Sequence, residues 1–223
     1  ENFHFESSGI LINEVNENSC IKAWKILKKD FPLLPNISCH LHKQIPIGAG
    51  LGGGSADAAF SLKLLNYKYS LGLTNDMLVS YALQLGSDCP FFILNKPCHA
   101  TGRGEVLEPV SLDLSSYEIV IVYPAVHINT ANAFSLLKNI SKNTFTKDNI
   151  MLPVSAWRDN IRNDFEQPIF KMHPEILELK HYLYESRAIY ASLSGSGSCV
   201  YGIFNKGSRP HFRFPENYFF AWV

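Results

Sequence analysis

Pro46-Ile47-Gly48-Ala49-Gly50-Leu51-Gly52-Gly53-Gly54-Ser55-Ala56-Asp57-Ala58-Ala59 is the stretch on which the reading of the chain turns. Five glycines fall between positions 48 and 54, and Ser-Ala-Asp-Ala-Ala follows at once as a helix opening. Glycine costs backbone entropy, so such a cluster needs a reason. The reason proposed is a loop that brings bare backbone N–H groups up to a phosphate. A helix N-terminus behind it supplies unpaired donors and the positive end of the helix dipole.

Upstream, Ile37, Cys39 and Leu41 alternate with Ser38, His40 and His42, which predicts a strand with one wet face in an antiparallel sheet. Before it, Phe3 and Phe5 mark a short half-buried strand. Ala23, Ile26 and Leu27 mark a helix that Asn18 or Ser19 can cap and that Phe31 to Pro35 stops. Downstream, Ala58, Ala59, Leu62 and Leu65 predict one helix. Thr74 starts a second, which ends at Gly86. Ser87-Asp88-Cys89-Pro90 turns into Phe91 to Leu94, read as a strand. Residues 99–101 and 119–123 are strands, Thr130 opens a helix, and 141–153 is a polar loop. Residues 156–170 read as one helix ending near Pro168, and Pro174 starts another. Residues 190–193 and 199–204 flank a Ser194-Gly195-Ser196-Gly197 turn. Asn205 to Pro215 is polar and proline-containing, and Tyr218 to Val223 closes as a strand. Helices and antiparallel strands mix throughout, so the expected class is α+β, divided near 110–125 into domains 1–115 and 116–223.

The 223 residues are 46% hydrophobic and 18% charged, a globular balance. The net charge is zero, so any anion site is local and no nucleic-acid partner is expected. The five cysteines are an odd, dispersed set without a C-x-x-C pair, which reads as reduced cytoplasmic usage and not as a disulfide or zinc framework. No apolar run approaches the ~20 residues of a membrane span, and no signal peptide opens the chain. It begins at Glu1, directly in strand-like sequence, so native residues upstream are expected.

Gly48, Gly50 and Gly53 satisfy the dinucleotide pattern G-x-G-x-x-G, but that fingerprint needs a buried parallel strand before it and a further strand ending in an acid about 20 residues on. Here the preceding strand alternates with polar residues, and two helices follow. A P-loop is excluded because no Gly-Lys-Ser/Thr follows. A merely flexible turn does not account for five glycines and an immediate helix start.

Pro46 to Ala59 resembles the phosphate-binding motif of the GHMP kinases, small-molecule kinases that include galactokinase, homoserine kinase and mevalonate kinase. Gly-Leu-Gly-Gly-Gly-Ser-x-Asp-Ala-Ala resembles the branch that serves the non-mevalonate route to isoprenoids; most other members have two serines at Gly53-Gly54. Asn18–Ala23, Gly86–Pro90, Gly102–Glu105, Thr130–Phe134, Asn163-Asp164-Phe165-Glu166 and Ser192–Gly197 resemble further family blocks, in order. The resemblance implies two domains, a ribosomal protein S5 domain 2-like one and a ferredoxin-like one. It also implies ATP with Mg2+, and transfer to the 2-hydroxyl of CDP-methylerythritol by a monomer or homodimer.

By that resemblance Pro46, Gly48, Ala49, Gly50, Leu51, Gly52, Gly53, Gly54 and Ser55 hold the ATP phosphates. The Ser55 hydroxyl reaches a phosphate or the metal, caps the helix, or does both. Asp57 complements the dipole. No protein ligand set for the metal is identified; His40 and His42 face solvent without a third ligand. Asp88 is the catalytic base, where an Asx-turn aspartate is the bland alternative. Thr130 and Phe134 line a cytidine pocket, or instead cap a helix and pack inside. Asn18 lies near the adenine or simply caps. Gly195 and Asp88 join Thr130 and Phe134 as substrate-binding residues; the Ser-Gly turn approaches the active site beside the phosphate loop, where side chains at Gly195 or Gly197 would obstruct. The family's first motif supplies a lysine and a Tyr-His pair; nothing in residues 1–17 matches them, and Lys43 is a stand-in only by its nearness to the loop. Two other readings stand beside this one. A mevalonate- or homoserine-type kinase is opposed by Gly53-Gly54 and the Thr130–Phe134 block. A non-catalytic nucleotide-binding protein is motivated by the unmatched first motif.

Overall fold

The computed structural model describes residues 3–12, 15–137 and 146–223; the first part of the expected 141–153 loop lies outside them. The chain divides into two compact units, Glu1–Ile45 with Gly52–Val110, and Pro46–Leu51 with Ser111–Val223.

In the first unit, strand β1 (His4–Gly9) pairs with β2 (Ser38–Lys43) in parallel, from His4 opposite Ser38 to Gly9 opposite Lys43. Helix α1 (Ser19–Asp30) forms the crossover, which is the connection parallel neighbours require. The expected antiparallel pairing is therefore corrected. Alternation along β2 reports one solvated face and says nothing about the direction of its neighbour. Helices α2 (Gly53–Lys68), α3 (Asn75–Leu85) and α4 (Cys89–Leu94) follow. Thr74 caps α3 and Gly86 closes it, as the sequence predicts. Phe91 to Leu94 is helical and not a strand, because Pro90 stands in the first turn of α4, where its missing N–H costs nothing. The core joins Ala23, Trp24 and Leu27 of α1 to Ala58, Ala59 and Leu62 of α2, Ala82 of α3 and Ile93 of α4. Strands β3 (Cys98–Thr101) and β4 (Val106–Pro109) form an antiparallel hairpin.

The second unit is built on an antiparallel sheet of β5 (Tyr117–Tyr123), β6 (Tyr190–Leu193), β7 (Val200–Asn205) and β8 (Phe219–Trp222), in the order β6-β7-β5-β8. Among the described residues five helices accompany it: α5 (Thr130–Ser135), α6 (Lys147–Ile150), α7 (Val154–Asn160), α8 (Glu166–Met172) and α9 (Pro174–Glu185). The single helix expected over 156–170 is two. Pro168 falls in the first turn of α8, where it starts a helix and does not end one. Val120 and Val122 of β5 pack with Ile169 of α8 and with Ile176, Leu179 and Leu183 of α9. The alternate residue Ile119 faces the other way, into a cluster with Val154 and Trp157 of α7. The polar 205–215 stretch is anchored by Phe212, which is buried, and by Arg209, which donates to Glu118 at 2.6 and 2.8 Å.

Candidate active site

In the first unit the loop ends as a helix start without a side-chain cap. Gly52 is the N-cap, at φ +65°, and the first intrahelical bond runs from Ala56 N to Gly52 O at 2.9 Å. The N–H groups of Gly53, Gly54 and Ser55 precede that bond, so they have no helical partner and are available to an anion. A Cβ on Gly52 would sit 2.9 Å from the Phe92 ring, so its glycine is required by backbone angle and by packing. Ser55 is thus the third helical residue and not the cap, which corrects the capping alternative. Its hydroxyl hydrogen-bonds the Cys89 thiol, whose pKa burial pushes up. This brings the first turn of α2 against the residue that follows Asp88.

Asp88 is the N-cap residue of α4 but makes no capping bond, and it is exposed. A Cβ on Gly104 would lie 3.5 Å from its Oδ1, so the Gly102-Arg103-Gly104-Glu105 turn closes beside the carboxylate. The Glu105 carboxylate is turned back onto backbone N–H groups, its own and that of Arg103 at 2.6 Å, which hold its pKa down. Asp88 therefore stays accessible beside a loop whose other acid is occupied.

Lys43 is the residue that sequence reasoning undervalued. It is buried at the end of β2 and donates to the Asp57 carboxylate. Its Nζ lies 3.1 Å from where a Cβ on Gly53 would stand. A paired cation thus sits under the helix start, and Asp57 answers that lysine before it answers the dipole. The signal was present in the alternation: Lys43 continues the inward series Cys39, Leu41, and an inward lysine must find a carboxylate. Asn18 caps α1, accepting from Cys20 N at 2.9 Å; that alternative is realised, and it occupies the side-chain oxygen. His40 and His42 are exposed and bond Ser8, and among the described residues no three His, Cys, Asp or Glu converge as a metal site.

In the second unit, Pro46 to Leu51 lies on the Ser-Gly turn between β6 and β7. Cys199 N donates to Ala49 O at 3.0 Å, and Ser194 Oγ donates to Gly50 O at 2.8 Å. Gly50, at φ +74°, has no room: a Cβ would stand 2.2 Å from Ser194 O and 2.9 Å from Gly197 O. The expected obstruction is therefore relocated. A Cβ on Gly195 would meet Gly50 O at an ordinary 3.4 Å, and one on Gly197 would meet Leu193 and Ile128 instead of the loop. Gly48 is crowded by His127. Pro46 and Ala49 are buried and anchor the loop, while Leu51 is half-buried.

Thr130 is the first residue of α5, and Asn129 is its cap, accepting from Asn132 N at 3.1 Å, so the capping alternative for Thr130 falls. The Thr130 hydroxyl lies 3.4 Å from Ser196 Oγ on the turn. Phe134 is 59% exposed and meets Phe165 in a T-shaped contact at 5.0 Å, so much of its ring is open. The opposite face of α5, with Asn129, Asn132 and Leu136, borders an open hollow of about 480 Å3 that also takes in His127 and His173.

A family model described as the GHMP kinases N terminal domain matches residues 18–96, and one described as GHMP kinases C terminal matches residues 150–213. A protein of Azobacteroides pseudotrichonymphae named 4-diphosphocytidyl-2-C-methyl-D-erythritol kinase is 48% identical over 209 residues, covering 92% of this chain and 78% of its own. One of the same name from Bacteroides fragilis is 47% identical, covering 92% and 75%. Among solved structures, a 4-(cytidine 5'-diphospho)-2C-methyl-D-erythritol kinase matches with a TM-score of 0.72 at 27% identity, covering 91% of this chain and 74% of its own. A homoserine kinase from Cytophaga hutchinsonii, at 15% identity and a TM-score of 0.67 over 92% of this chain and 73% of its own, shares the fold.

Proposed function

The chain belongs to the GHMP kinases and, within them, to the 4-diphosphocytidyl-2-C-methyl-D-erythritol kinases of non-mevalonate isoprenoid synthesis, and from that premise we propose how its residues transfer the γ-phosphoryl group of ATP to the 2-hydroxyl of that alcohol. Such a transfer needs held phosphates, neutralised charge and a carboxylate for the hydroxyl proton. Pro46 to Ser55 hold the phosphates through backbone N–H groups, with the unpaired donors of Gly53, Gly54 and Ser55 and the dipole of α2 answering their charge. Asp88 accepts the proton as the 2-oxygen attacks the γ-phosphorus; the bond to the bridging oxygen breaks and ADP leaves. The uncapped, exposed Asp88 beside the first turn of α2, linked through Ser55 and Cys89, is the observation that carries this reading.

Thr130 and Phe134 take the cytidine, Phe134 by stacking its exposed ring on the base. Gly195, on the Ser-Gly turn, borders the acceptor, while it is Gly50 that lets the loop and the turn approach. Asn18, its oxygen occupied, offers its amide group to the adenine. Mg2+ fits as an ion that arrives with the nucleotide: among the described residues no three His, Cys, Asp or Glu converge, and the Ser55 hydroxyl is the donor at hand beside the phosphates. Bound there, it would neutralise phosphate charge. The domains we propose are 1–115 and 116–223. The five cysteines are free, in keeping with the reducing cytoplasm we propose for the protein, as a monomer or homodimer; no described helix is long and apolar enough to cross a membrane. Asp88→Asn tests the mechanism: ATP affinity stays within about threefold while turnover falls by about 10^2–10^4. Near-normal turnover removes Asp88 from the mechanism.

A further inference from the structure

The Asn163-Asp164-Phe165-Glu166 block has no part in the transfer just described, yet three of its side chains reach elements that the transfer uses. The Asn163 Oδ1 accepts from Phe165 N at 2.9 Å, which folds the block into an Asx turn. That bond fixes which end of the amide faces the sheet. Both donors of Nδ2 are then used, on Leu193 O at 2.9 Å and on Gly195 O at 2.8 Å. These two carbonyls bracket Ser194, the residue whose hydroxyl donates to Gly50 O. Glu166 takes the same strand end from its N–H side: Oε1 accepts from Leu193 N at 3.1 Å and from Ser192 Oγ at 3.0 Å. Lys180 of α9 holds both oxygens of Glu166 at 2.7 Å. Strand β6 is at the sheet edge, so the outward N–H and C=O of Leu193 need partners beyond the ladder, and this block supplies both. Phe165 meets the Phe134 ring in a T-shaped contact.

We propose that Asn163 and Glu166 are positioning residues that set the Ser194–Gly197 turn and, through Ser194 and Cys199, the phosphate loop. The proposal rests on reading that loop as the ATP cradle. Asn163 is one amide from two carbonyls of the turn, and the turn is one hydroxyl and one N–H from Gly50 and Ala49. A shift of the turn therefore moves the loop without any contact between Asn163 and nucleotide.

The test uses Asn163→Asp, which keeps the shape and the Oδ1 acceptor but sets an oxygen against two carbonyls. Asn163→Ala removes the amide, and Glu118→Gln serves as a comparator, a buried carboxylate of the same unit that bonds Arg209 and Gly207 and not the turn. Hydrogen exchange at Cys199 N–H, and affinity for a non-hydrolysable ATP analogue without acceptor, are measured at matched global stability. Both Asn163 variants are expected to speed Cys199 exchange and to weaken the analogue by about tenfold, with Glu118→Gln changing neither. Unchanged exchange and affinity in Asn163→Asp, or equal changes in Glu118→Gln, overturn the proposal. If the wild-type chain itself bound no ATP analogue, the kinase reading would fail, and Cys199 exchange alone would decide whether the block positions the loop.

Discussion

Gly50→Ala is the substitution for which the structure yields a magnitude most directly. The added Cβ falls 2.2 Å from Ser194 O and 2.9 Å from Gly197 O, both backbone atoms. Carbon and oxygen rest at about 3.3–3.6 Å, so loop and turn must part by about 1 Å. Two hydrogen bonds span that gap, Ser194 Oγ to Gly50 O and Cys199 N to Ala49 O; each contributes about 1 kcal/mol net. The φ of +74° adds about 1–2 kcal/mol for a residue with a side chain. The variant should lose about 3–4 kcal/mol of stability in its unit. Because the displacement is borne by the loop proposed to hold the nucleotide, kcat/KM for ATP should fall by about 10^2-fold. Gly195→Ala is the internal comparison. Its Cβ meets Gly50 O at 3.4 Å and its φ is +55°, so it should lose only the backbone contribution of about 1–2 kcal/mol. Thermal melts and steady-state kinetics of the two variants check this. If Gly50→Ala matches Gly195→Ala in both, the close approach of loop and turn is not what places the phosphates.

Three further outcomes follow from particular contacts. Lys43→Met leaves the Asp57 carboxylate, 19% exposed, without its cation and should cost about 3–5 kcal/mol; adding Asp57→Asn should restore part of it, which a double-mutant cycle by denaturant unfolding measures. Phe134→Ala should raise KM for the cytidylated acceptor by about 1–3 kcal/mol in binding while KM for ATP and the melting temperature hold, since the ring is largely exposed. Hydrogen bonds from Arg209 hold the Glu118 carboxyl below its ordinary range. That contact stabilises the fold fully above the unfolded carboxyl pKa of about 4.3 and is lost as pH falls through the lower folded value. Melting temperatures of Glu118→Gln should therefore fall less between pH 5 and pH 3, about the carboxylate range, than those of the wild type.

Local pattern carried helices α1, α2 and α3 of the first unit, the β6–β7 hairpin and the loop itself, because each rests on neighbours in sequence: apolar spacing, a threonine cap, glycine stops. It failed where a second segment decides. The direction of the strand beside β2 is set by the α1 crossover, which alternation along 37–42 does not contain. Phe91 to Leu94 is an apolar run too short for its period to separate strand from helix; Pro90 was the usable signal. Of the candidate site, the glycine-rich helix start was legible, although Gly52 and not Ser55 is its cap; Asp88 by itself read as an Asx-turn aspartate, and its proposed role as base came from the resemblance. The partner of Lys43 and the grip of Asn163 on the Ser-Gly turn were not, since they join residues 14 and 30 positions apart.

The central claim is phosphoryl transfer to one particular hydroxyl. The wild-type chain, incubated with ATP and Mg2+, should release ADP only when 4-diphosphocytidyl-2-C-methyl-D-erythritol is added, and phosphorus NMR of the product should show a new monoester on the 2-oxygen. ADP release with mevalonate or homoserine instead, or none with any of the three, would contradict it.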